Sequence, residues 1–133
     1  MDGKAAENEK ITIILGYVDL GQVDLLVREG FYSNRTDFIR TAIRNQLDRQ
    51  GDMVRQSVAR RQLDLGLREV TRVELEGLRN AGKQIDLHVL GLAVIAPDVS
   101  AELALGTIAS IQVLGHLQAP HSVKAALKDR MRS

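Results

Sequence analysis

Between Lys10 and Leu15 the apolar residues Ile11, Ile13 and Leu15 alternate with Lys10, Thr12 and Ile14. That period of two predicts a short strand over 10–15. The period then lengthens to that of a helix. Leu20, Val23, Leu26 and Val27 fall on one helical face, and Asp19-Leu20-Gly21-Gln22 has the spacing of a capping box. Gly30 suits the left-handed position that ends such a helix. A second helix is expected to start at Ser33 or Asn34, with Asp37 in its first turn; Phe38, Ile39, Ala42, Ile43 and Leu47 repeat along it at 3.6-residue spacing. It should close near Arg49-Gln50-Gly51. Residues 51–62 form a polar helical connector, open to continuity with helix two through Gly51. Residues 1–9 are polar and aperiodic, and are expected to be a flexible arm.

After Gln62 the texture changes. Leu63, Leu65 and Leu67 alternate, and Thr71-Arg72-Val73-Glu74 is a second capping-box match, opening a helix that ends near Ala81-Gly82. Ile85, Leu87 and Val89 alternate again, and an apolar run over 92–96 is stopped by Pro97. Leu-Gly recurs at 65–66, 90–91 and 114–115, a spacing of 25 and then 24 residues. Beyond each Gly lie a short extended segment, a Val (Val73, Val99, Val123) and a Leu (Leu78, Leu103, Leu127). The last two copies also share Val-Leu-Gly, Ala-Pro (96–97, 119–120) and a Ser suited to an N-cap, Ser100 and Ser122. A period in this range marks stacked units, each burying its apolar face against its neighbours. Residues 63–130 therefore read as three strand-plus-helix units in a small solenoid-like α/β layer, and the chain as α+β. The alternative is an ordinary α/β domain in which the dipeptide recurs by chance.

The first half poses a stability problem. One strand of six residues has unpaired edges, and two short helices bury little apolar area. Pairing the strand with its copy in a second chain solves both, because two strands make an antiparallel ribbon and four helices close over its apolar face. This order of elements, with Lys10-Ile11-Thr12-Ile13 opening it and Gly30-Phe31-Tyr32-Ser33-Asn34-Arg35-Thr36-Asp37-Phe38-Ile39-Arg40 in its middle, resembles the ribbon-helix-helix family of DNA-binding proteins, the superfamily of the MetJ, Arc and CopG repressors. The resemblance covers residues 10–50, and the C-terminal half carries none. It implies a DNA-binding and dimerisation domain over 10–50, followed by the connector and, over 63–133, an α/β repeat layer suited to oligomerisation.

On a ribbon, Lys10, Thr12 and Ile14 face away from the core. A two-stranded ribbon fits the major groove, where Lys reaches guanine O6 and N7 and Thr can donate, accept or touch a thymine methyl. The resemblance implies base contacts from these three positions; Ile14 departs from the family pattern, which is usually polar there, and fits either thymine methyls or a protein partner. The start of helix two, with its free N–H groups and positive dipole end, is an anion site where the family docks a DNA phosphate. Ser33, Asn34 and Arg35 stand there, although ordinary capping accounts equally for Ser33 and Asn34. Arg40 and Arg44, one turn apart, fit either a solvated face or phosphate contacts.

Charge and composition narrow the field. Net charge is only +1, and the first fifty residues hold seven Lys plus Arg against eight Asp plus Glu. DNA affinity must then come from local placement rather than from a general field. The chain has no Cys, which excludes disulfides and thiolate metal sites and fits a cytoplasmic protein; no apolar run of 18 residues and no signal peptide is visible, so no membrane fate is expected. His88, His116 and His121 are the plausible general bases, with no nucleophile pattern, phosphate loop or nucleotide fingerprint beside them. Nickel-responsive regulators of similar layout need a Cys and a His cluster that this chain lacks. Only His116 and His121 with Asp98 or Glu102 offer a set of metal ligands. No catalysis, metal or cofactor is expected. The expected partners are double-stranded DNA and further copies of the chain. Two rival readings remain: an antitoxin that represses its own operon and masks a toxin protein with its C-terminal part, and a self-assembling scaffold whose ribbon only dimerises.

Overall fold

The computed structural model describes residues 8–132, so most of the expected N-terminal arm lies outside the described residues. The chain divides into two compact units, residues 8–57 and the part from Val58 onward.

In the first unit, α1 (Tyr17–Arg28) and α2 (Arg35–Arg49) are joined by a tight turn. Asp19 does not cap α1. The N-cap is Gly16, in extended backbone, and it makes no side-chain cap bond; Asp19 falls in the first turn, where its charge favours the helix dipole. The helix ends as Gly30 requires. Gly30 N–H donates to Val27 O at 3.1 Å and Phe31 N–H to Leu26 O at 3.0 Å, a Schellman pair that needs the left-handed φ of +86° at Gly30. Asn34 caps α2, its Oδ1 accepting from Asp37 N–H at 2.8 Å, while Asp37 Oδ2 accepts from Ser33 N–H at 2.9 Å. Tyr32 and Phe38 meet edge to face with ring centroids 5.0 Å apart.

The expected strand over 10–15 has no β-ladder within this chain. A lone extended segment has nothing to bond, and Ile11, Ile13, Ile14 and Leu15 all remain exposed. The apolar stripe of α2 is open too: Ile43 and Leu47 are exposed, and no residue of α2 is buried. Only Val23 of this unit reaches burial. After a one-residue interruption at Gln50, the expected connector forms a helix of its own, α3 (Gly51–Arg61).

The second unit contains β1 (Asp64–Val70), α4 (Arg72–Asn80), β2 (Ile85–Ile95), α5 (Ala101–Thr107), β3 (Ile108–Gln118) and α6 (His121–Ala126), then a short 3-10 turn over Lys128–Arg130. The strands form one parallel sheet in the order β1-β2-β3. The Leu-Gly period is the strand-to-strand register. Leu65 pairs with Leu90 and Leu90 with Leu114, and Gly66, Gly91 and Gly115 form the next row. Each of these glycines has a positive φ, of +108°, +137° and +118°. A Cβ on Gly91 would lie 2.2 Å from Gly66 O, and one on Gly115 would lie 2.1 Å from Gly91 O. The dipeptide recurs because all three glycines hold a φ that side chains avoid, and at Gly91 and Gly115 the neighbouring carbonyl leaves no room for one.

Thr71 caps α4 by accepting from Glu74 N–H at 3.2 Å, and Ser100 caps α5 by accepting from Leu103 N–H at 3.1 Å. Ser122 does not repeat that role. α6 begins at His121 behind Pro120, and Ser122 lies inside its first turn. One face of the sheet carries the helices and the core: Val70, Leu87, Val89, Ala93, Ile95 and Ile111 pack with Leu75 of α4, Leu103 and Ala104 of α5, and Val123 of α6. On the other face Leu65, Leu67 and Leu114 are exposed.

Candidate nucleic-acid interface

Lys10, Thr12 and Ile14 precede α1 on the extended segment, and all three side chains are exposed. Ile14 is 94 % exposed against 40–66 % for Ile11, Ile13 and Leu15, so it is the least covered of the four apolar residues. That asymmetry is what a ribbon with Ile11, Ile13 and Leu15 on its inner face requires.

Ser33, Asn34 and Arg35 do come together at the start of α2, though they are not free. The Asn34 side chain is spent on Asp37 N–H and the Ser33 amide on Asp37 Oδ2. Arg35 is held across the turn by α1: its Nε donates to Asp24 Oδ1 at 2.7 Å and its Nη2 to Asp24 Oδ2 at 2.9 Å. Hydrogen bonding from Arg35 and its charge hold the Asp24 carboxyl below the usual carboxylate range, and Asp24 in turn raises Arg35. The pair fixes the guanidinium in one place at the mouth of α2. The amides of Arg35 and Thr36, in the first helical turn, have no intrahelical partner. Together they offer a positive, donor-rich corner, with the carboxylates of Asp24 and Asp37 limiting its strength.

Asp24 is the residue that the sequence did not reveal. It stands eleven positions before Arg35 and inside another helix, so no spacing rule links them. Arg40 and Arg44 are exposed along α2. A shallow hollow on this helix is lined by Tyr32, Phe38, Ala42, Asn45, Gln46 and Arg49.

The histidines are placed differently. His88 Nε2 lies 3.1 Å from Ser110 Oγ, and Ser110 donates to Asp86 Oδ1 at 2.6 Å. The serine proton is therefore committed to the carboxylate, and the hydroxyl can only accept from His88. A histidine in that role cannot serve as base toward Ser110, so the trio is a polar clamp between β2 and β3 rather than a nucleophilic set. Among the described residues, no three His, Asp or Glu side chains gather closely enough to hold one metal ion. No helix among the described residues is long and apolar enough to cross a membrane.

Comparison with known families adds what geometry alone does not. Comparisons with curated proteins and with solved structures gave no match. A ribbon-helix-helix transcriptional regulator family matches residues 6–124, reaching far past the 10–50 stretch that carries the resemblance and taking in all three strands of the C-terminal sheet. With that match over most of its length, the chain belongs to the ribbon-helix-helix transcriptional regulators.

Proposed function

We propose that this protein is a sequence-specific repressor that binds DNA as a homodimer through residues 10–50. The carrying observation is the family match, supported by a helix pair whose turn and N-cap are both secured while, among the described residues, its apolar face is open and the segment over 10–15 is unpaired. Two copies of the segment over 10–15 pair as an antiparallel ribbon, burying Ile11, Ile13 and Leu15 against the open stripe of α2. Lys10 and Thr12 then read base edges in the major groove, and Ile14 packs on a thymine methyl. Ser33 and Asn34 shape the start of α2, while Arg35 and the first-turn amides take a backbone phosphate. Residues 51–62 connect this domain to the layer over 63–133, which joins dimers on adjacent half-sites in the cytoplasm. No cofactor takes part.

The test is retention of sheared genomic DNA by the purified protein at moderate salt, followed by sequencing. Enrichment of a few sites with a repeated or inverted motif supports the reading; folded, oligomeric protein that enriches nothing overturns it.

The exposure of Ile14 and the near-neutral charge favour one second reading, a scaffold whose ribbon only dimerises. It predicts unchanged DNA affinity in a Lys10→Ala, Thr12→Ala double variant. A toxin-masking antitoxin is less well supported, because such tails fold on their partner, whereas the C-terminal layer has a core of its own.

A further inference from the structure

We propose that two copies of the chain dock through the outer edge of β1, antiparallel and in a register centred on Gly66. This deepens the reading that the C-terminal layer joins dimers, and rests on it. Among the described residues, β1 pairs only with β2, so one side of Asp64–Val70 presents unpaired backbone groups. Among the described residues no strand lies on that edge; Leu65 and Leu67 are 71 % and 66 % exposed, and the strand has neither Pro nor Lys. Such an edge is a template for another strand.

The occupant follows from the strand's own sequence. Asp64-Leu65-Gly66-Leu67-Arg68 is self-complementary about Gly66. Turned by a two-fold axis, Asp64 faces Arg68 of the second copy, Leu65 faces Leu67, and Gly66 faces Gly66, and each heterologous pair occurs twice. The faces agree as well. Arg68 bonds Glu74 of α4, with Nη2 to Oε2 at 2.5 Å, so Asp64 and Arg68 lie on the helix-bearing face and both leucines on the open one. Shifting the register by one residue would set Leu65 against Arg68 or Gly66 and lose both matches.

The glycine row gives an independent reason. A Cβ on Gly91 would point in the plane of the sheet into Gly66 O, and a Cβ on Gly115 into Gly91 O. Gly66 has the same kind of positive φ, yet a Cβ there would meet nothing within 4 Å. The backbone row is thus continued to an edge with no strand beside it, and the missing side chain leaves that edge clear for close approach. Docking also extends the apolar row Leu114-Leu90-Leu65 of one sheet into Leu67 and Leu92 of the other.

A head-to-tail arrangement, with β3 of one copy on β1 of the next, is obstructed. The C-terminal segment occupies the β3 edge, where Arg132 N–H donates to Ile111 O at 2.7 Å and Met131 forms a parallel bridge with Ile111. An isologous contact also closes, whereas a head-to-tail one grows without limit.

The test uses the full chain, whose lack of Cys makes engineered thiols unambiguous. Leu65→Cys and Leu67→Cys proteins are mixed, oxidised gently and analysed by mass. Directly opposed positions lie within disulfide reach, so the mixed 65–67 disulfide should exceed both same-site disulfides several-fold. Light scattering should show a tetramer that falls to a dimer in Leu67→Lys, an exposed position whose change leaves the core intact. A statistical mixture of disulfides, or a Leu67→Lys protein with unchanged mass, overturns the proposal. Operator binding separates the two readings: protein that binds its operator but crosslinks at random refutes the edge alone. Protein that crosslinks as expected yet binds no DNA refutes the regulator alone.

Discussion

At the scale of single residues, the glycines at 91 and 115 are the least replaceable positions. Each combines a φ that side chains avoid with a neighbouring carbonyl where a Cβ would stand. Gly91→Ala should cost roughly 2–5 kcal/mol, backbone strain and overpacking acting together. Within one chain Gly66→Ala meets open space, so its cost to the folding of that chain should be the strain alone, about 1–3 kcal/mol. Urea denaturation of the two variants measures the difference; equal losses would show that the close approach contributes nothing. The recurrence of Leu-Gly was legible in the sequence as a period. Its cause was not, because a glycine's φ depends on the strand beside it. Asn34 is the opposite case. Its capping role was legible three residues ahead of Asp37, and Asn34→Ala should lower stability by about 1 kcal/mol in the same assay.

At the scale of elements, local rules worked where the chain talks only to itself. Gly30 ends α1, and Thr71 and Ser100 open α4 and α5, because each motif closes within a few residues. They failed where a neighbour offered a better solution: Gly16, in extended backbone, starts α1 earlier than Asp19 would, and Pro120 takes the place expected of Ser122. Arg35 illustrates a further limit, since its place at the start of α2 is set by a carboxylate in another helix. The pairing makes the α1–α2 turn pH-sensitive in a defined direction. With Arg35 beside it, Asp24 titrates below the ordinary aspartate value of about 3.9. The unfolded chain therefore takes up that proton first as pH falls, so the stabilisation is whole above about pH 4 and is lost as pH drops through the folded value. The full chain's urea midpoint should fall as pH drops below about 4, and Asp24→Asn should flatten that slope; an identical slope in the variant would remove the pair from the account. On DNA, Arg35→Ala should weaken binding to all sequences alike and reduce the salt slope by about one, the mark of a phosphate contact. Thr12→Ala should instead cost about 1–3 kcal/mol at one base pair and leave others untouched. Binding titrations over a salt series, on the operator and on a single-base variant, tell these two behaviours apart.

At the scale of the whole molecule, a chain with a net charge of +1 has to make DNA affinity by some means other than a broad field. The two-unit organisation supplies one. If the C-terminal layers hold two ribbon dimers together, the second dimer binds its half-site at an effective concentration set by the protein rather than by the solution, which raises avidity by about 10²–10⁴ without a new DNA contact. Two consequences can be measured together. A fragment of residues 1–57, which contains the compact helix pair, should bind a single pair of half-sites about as well as the full chain, but lose that gain on two adjacent pairs. Because linked dimers must meet the same face of the duplex, inserting about half a helical turn, ~5 base pairs, between the two pairs should abolish the advantage of the full chain, and inserting a whole turn of ~10 should restore it. Gel-shift titrations on the three spacings decide the matter. Equal cooperativity for fragment and full chain would place the linkage within residues 1–57 and leave the sheet layer without a part in binding, whereas a response to spacing in the full chain alone would make that layer the source of the affinity its charge does not provide.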